Sequence, residues 1–174
     1  MRYRKNKSRT IITYALCIII CLLGITNSNA QMECRKKLDD YNRKPDFPTG
    51  QLPEYENCLN NIESYYRGLI SLEQKNKEKI TDLKTALSQN NIYLNQARQA
   101  KDSLGVENYT HKEKDLNKEI ADSIGKLEQN KNEITSYKTT LKSSYEKIIA
   151  YYTSIENPKL KDWQRRLDAL TASY

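Results

Sequence analysis

Four cysteines and one histidine are the side chains of this chain best suited to act as nucleophile, metal ligand or redox partner. Cys17 and Cys21 lie inside an apolar run, Ile11 to Ile25, and follow Leu16 and Ile20. A lipid-modified cysteine wants a small residue just before it, so these two read as part of the run. Cys34 and Cys58 remain, and in a chain bound for an oxidising compartment they are most simply one disulfide. A zinc site is not supplied, because His111 is far along the chain and two thiolates do not complete a tetrahedron. His111 itself reads as a surface residue. Glu63 with Arg67, Glu73 with Lys77 and Asp122 with Lys126 are spaced four apart, as ion pairs on solvated helix faces are. There is no phosphate-binding glycine loop, no Gly-x-Ser-x-Gly, no His-Glu-x-x-His and no dinucleotide fingerprint. The expectation is a protein that is not an enzyme and needs neither cofactor nor metal.

The elements that position these residues begin with export. Arg2, Arg4, Lys5, Lys7 and Arg9 precede the apolar run, no acidic residue occurs before Glu33, and Ser28 and Ala30 supply small residues before Gln31. That order reproduces a secretory signal over residues 1–30, with cleavage after Ala30. The run is about fifteen residues, short of the roughly twenty of a permanent spanning helix; uncleaved, it would be an amino-terminal anchor to the inner membrane. The whole chain has 29 Lys and Arg against 22 Asp and Glu, a net charge of +7. Five of those bases fall in the signal, so the remainder carries only +2. Such a near-neutral body argues against nucleic-acid binding by clustered bases. The expected location is exported, periplasmic or secreted, with membrane contact only if the signal segment is uncleaved.

After the signal, residues 31–52 hold Pro45, Pro48 and Gly50, with Pro53 next, and read as an irregular segment tied by the disulfide. From Leu59 apolar residues recur on a seven-residue clock. Positions a are Leu59, Tyr66, Glu73, Ile80, Leu87, Leu94 and Lys101; positions d are Ile62, Leu69, Asn76, Leu83, Asn90, Ala97 and Leu104. Gly105 then reads as the residue just past a helix end, and Thr110 to Glu113 as the capping box of the next helix. That helix carries Glu113, Ile120, Leu127, Ile134, Leu141, Ile148 and Ile155 at a, and Leu116, Ser123, Asn130, Tyr137, Ser144 and Tyr151 at d. The fold class expected is all-α: a long antiparallel coiled-coil hairpin over 53–156, its turn at about 105–110, each helix about 70–80 Å long. Partners in that register have numbers summing to about 217, which sets Ile80 by Tyr137, Leu83 by Ile134 and Asn130 by Leu87. Asn108, Tyr109 and Thr110 form a glycosylation sequon at the expected tip, relevant only in a eukaryotic secretory route.

Residues 157–174 read as a short amphipathic helix capped by Asn157 and Pro158, with Leu160, Trp163, Leu167 and Leu170 on one stripe. It is expected to dock on a cluster of tyrosines near Cys58; undocked, Trp163, Leu160, Leu167 and Leu170 with Tyr65 and Tyr152 would form a possible interaction surface. The general plan, an export signal followed by a helical hairpin, is similar to that of periplasmic holdase chaperones of the Skp type and of helical minor pilins of type IV secretion systems. Gln31 to Tyr41 lacks the apolar strand with which the holdase begins, and no family is assigned. Function is expected to be a non-catalytic interaction or structural module of the cell envelope, with a protein partner or self-association. A holdase clamping unfolded clients and a membrane-tethered spacer are the alternatives.

Overall fold

In the computed structural model residues 30–47 and 49–172 are described, and these are all-helical, with no strand among them. The export signal, apart from Ala30, and with it Cys17 and Cys21, lies outside the described residues. Residues 30–43 form helix α1, so the segment expected to be irregular is helical for most of its length. The breakers that motivated the irregular reading, Pro45 onward, begin only after α1 has ended, and Leu38 and Tyr41 bury one face of it. A short 3-10 turn, Thr49–Gln51, leads into α2, Leu52–Gln99. Helix α3 spans Ser103–Ser154, and α4 spans Leu160–Ala172. The chain divides into two compact units: one takes residues up to Tyr65 and from Thr140 onward, the other Tyr66–Thr139.

The first unit gathers α1, the start of α2, the end of α3 and α4 around a core rich in tyrosine. Leu38, Tyr55, Leu59, Ile62, Leu141, Tyr145, Ile148 and Tyr152 are almost wholly removed from water. Aromatic rings supply much buried area per residue, but each phenol hydroxyl then needs a partner. The single Tyr55 hydroxyl hydrogen is shared between the Asn42 side-chain oxygen at 2.8 Å and the Ser144 carbonyl at 3.1 Å, while the Asn42 amide donates to the Ser144 hydroxyl at 2.8 Å. Thr140 donates to Asp39 at 3.0 Å. These bonds tie α1 to α3, and the Cys34–Cys58 pair ties α1 to α2. Their sulfurs lie at disulfide distance and their Cα atoms are 4.9 Å apart.

In the second unit the seven-residue clock is visible as burial. Tyr66, Leu69, Glu73, Ile80, Asn90, Leu94 and Ala97 are buried on α2, and Ile120, Ser123, Asn130, Ile134 and Tyr137 on α3. The reversal, however, lies at Ala100–Asp102 and not at 105–110. Lys101 adopts a left-handed conformation (φ 56°), the Asp102 amide donates to the Ala97 carbonyl at 2.9 Å and the Lys101 amide to the Arg98 carbonyl at 3.2 Å. Those two bonds and the left-handed residue are the Schellman closure of a helix end, with lysine where glycine is usual. Asp102 then caps α3, its carboxylate accepting from the Gly105 amide at 2.9 Å. Gly105 is therefore the third residue of α3, and Thr110 to Glu113 lies in the helix interior, as does the sequon.

The contacts between α2 and α3 follow the observed reversal. Asn130 donates to the Leu69 carbonyl at 3.0 Å, Asn90 to the Tyr109 carbonyl at 2.8 Å, and Lys79 pairs with Glu119 at 2.9 Å. Partner numbers sum to 198 or 199 in place of about 217. Asn130 thus meets Leu69 and not Leu87. A pattern of period seven is compatible with several offsets, and the turn, together with the buried Asn90 and Asn130, favours this one. Lys101 and Leu104 accordingly fall at and beyond the reversal instead of extending the α2 seam.

Candidate interaction surfaces

In the first unit α4 is reached through a short connection in which Glu156 is left-handed (φ 50°) and the Asn157 amide donates to the Tyr152 carbonyl at 3.0 Å. The Asn157 side-chain oxygen accepts from the Lys159 amide at 2.9 Å, the role expected of it as a cap. Trp163 packs on Tyr145 with ring centroids 5.9 Å apart, and the Arg166 guanidinium lies 4.4 Å over the indole. Arg166 also donates to Asn60 at 2.7 Å, to Glu63 at 3.1 Å and to Asp162 at 3.1 Å. One turn earlier, Lys159 and the Tyr152 hydroxyl both donate to the Glu56 carboxylate, at 3.0 and 2.6 Å.

This docking decides the fate of the residues proposed from sequence as a contact surface. Trp163, Leu170 and Tyr152 are buried, and Leu160, Leu167 and Tyr65 half-buried. The first three are core here: Trp163 packs on the Tyr145 ring, and Tyr152 lies against Tyr151 with its hydroxyl on Glu56. Electrostatics in the unit follow from the same burial. Removal from water pushes the Tyr55 phenol well above its ordinary value, and burial followed by the Glu56 carboxylate does the same to Tyr152. Lys37, hydrogen-bonded at 2.7 Å, holds Glu54 below the usual carboxylate range, with help from the Tyr41 hydroxyl. Lys147, which donates to the Lys44 carbonyl, is lowered by burial.

Among the described residues, exposed large apolar side chains belong mainly to the second unit. Leu72, Ile92, Tyr93, Leu104 and Ile124 are each between 44% and 66% exposed. Near the reversal the Tyr93 and Tyr109 rings stack with centroids 5.7 Å apart. Leu72, Ala86 and Tyr93, with Lys79 between them, stand one residue before the seam positions Glu73, Leu87, Leu94 and Ile80. They form a third stripe of period seven that the a and d pattern does not cover. The signal was present in the sequence as spacing; attention to the seam alone passes over it.

His111 is exposed, 3.5 Å from the Asp115 carboxylate. Among the described residues no three metal-ligating side chains cluster, and no helix is long and apolar enough to cross a membrane. Set against family models, characterised proteins and solved structures, the chain matches none.

Proposed function

We propose that this chain is an exported, non-catalytic module of the cell envelope, built as an antiparallel coiled-coil hairpin, that works by binding protein. The observation that carries the reading is the mismatch in the second unit. Its seam is filled from within the chain, yet Leu72, Tyr93 and Leu104 stay in water on helices otherwise clothed in charge. Support for export is the basic start, the apolar run and the small residues before Gln31, together with a cysteine pair at bonding distance. Support for the hairpin is the set of contacts linking Leu69 to Asn130, Lys79 to Glu119 and Asn90 to Tyr109.

Each part has its own test. A zero-length carbodiimide reagent joins an amine to a carboxylate in contact, so the peptide containing Lys79 should be recovered linked to the one containing Glu119. Recovery of Lys79 on another carboxylate of α3 defeats the register. The mass of the exported protein should begin at Gln31; retention of the first thirty residues favours the tethered spacer. A photoreactive residue at Tyr93 or Leu104 should give one and the same protein adduct in cells, with none from exposed Glu128. Suppression of aggregation of an unfolded outer-membrane protein, with no defined adduct, favours the holdase.

A further inference from the structure

We infer that the second unit pairs with the same unit of a second copy of this chain, α3 against α3 and antiparallel, about a twofold axis near Asp122 and Ser123. The inference rests on the reading of this unit as a protein-binding module and names its partner. Along α3, Lys112, Glu119, Lys126 and Glu133 recur every seven residues and so share one face, and their charges alternate. Glu119 reaches Lys79 at 2.9 Å, which places this row beside the α2 stripe of Leu72, Lys79, Ala86 and Tyr93.

Turned about the proposed axis, the row becomes its own complement. Lys112 meets Glu133 of the second copy, and Glu119 meets Lys126. An isologous contact requires this, since whatever residue meets another must be met by it in return. Within the chain, Lys112 and Lys126 have no ion-pair partner among the described residues, whereas Glu119 pairs with Lys79 and Glu133 is also engaged. Exposed pairs of this kind contribute little attraction; like the flanking charges of coiled coils, they select partner and direction. The attraction itself comes from the adjoining stripe where it nears the axis, at Leu72, which loses the water that now covers nearly half of it.

Lys112 and Glu133 lie twenty-one residues apart on one helix, about 31 Å, so they cannot meet within one chain. Sedimentation equilibrium on the protein as an exporting host delivers it should show a dimer. Lys112→Glu and Glu133→Lys should each raise the dimer dissociation constant about tenfold at low salt. The double variant should return to the wild-type value, and an equimolar mixture of the two single variants should form a heterodimer of wild-type strength. A monomeric wild type, or a double variant weaker than either single, overturns the inference. So does a photoreactive residue at Leu72 whose adduct proves to be an unrelated protein, and in that outcome the protein-binding reading survives. Should a variant lose helicity, the wild type decides: a dissociation constant that rises with salt supports the charge-set pairing, and one indifferent to salt overturns it. Recovery of the Lys79–Glu119 crosslink throughout shows that the hairpin itself is intact.

Discussion

Lys101 occupies a backbone conformation that costs an L-residue about 1 kcal/mol relative to glycine. Lys101→Gly should therefore raise stability by roughly that amount, read as a higher urea midpoint with unchanged slope. Gly105 behaves in the opposite way. Its conformation is not left-handed, but an added Cβ would strike the Asp102 carboxylate and lie 3.2 Å from the Ala97 Cβ. Gly105→Ala should displace the cap and cost about 1 kcal/mol. Phenol ionisation is the second residue-scale effect. Tyr55 and Tyr152 have folded pKa values raised above about 10, so folding favours their neutral forms. Their contribution is whole below about pH 10 and is lost as pH rises through the folded values. Alkaline unfolding should accordingly coincide with the last phenols to ionise in the ultraviolet absorbance titration, and Tyr55→Phe should flatten the alkaline limb. For Glu54 the direction reverses: its folded value is lowered, so its contribution is present above the ordinary carboxylate value and fades as pH falls through the lowered one.

Among the elements, α4 depends most on a single side chain. Trp163 is 4% exposed and touches both Tyr145 and the Arg166 guanidinium. Trp163→Ala should cost about 3 kcal/mol and open the bond after Lys159 or Lys161 to trypsin, because the cavity left beside the buried Tyr145 ring collapses only in part. Arg166→Ala should cost less, as Arg166 is itself about a third exposed and its partner Asp162 is half exposed. The helices α2 and α3 are held differently. Their seams carry Asn90 and Asn130, which donate to backbone carbonyls of the facing helix. A buried amide of this kind weakens a seam while favouring one register over its neighbours.

At the scale of the whole molecule, two compact units take their parts from the same two long helices. The Cys34–Cys58 bridge closes a span of 24 residues in the first of them. By the chain-entropy account such a closure contributes about 3 kcal/mol. Reduction should lower the stability read from urea unfolding by that amount, with the loss reversed on reoxidation; Cys34→Ser should reproduce it without reductant.

The all-helical class, the seven-residue clock and the pairing of Cys34 with Cys58 were legible in the residues, because each is a local pattern or an elimination among few candidates. The helix at 30–43 was obscured by breakers that lie beyond its end. The turn was obscured because Gly105 is the expected closing residue, while the chain closes on Lys101 and uses Gly105 for close approach to Asp102. The stripe of Leu72, Ala86 and Tyr93 was legible as spacing, but its exposure depends on which face α3 covers. The seven-residue spacing by itself marks which side chains of α2 and α3 are buried. The docking of Trp163 on tyrosine was legible as well; the offset and the faces left open were decided only by tertiary structure, since repeating patterns match at several offsets until a specific turn and specific buried amides favour one.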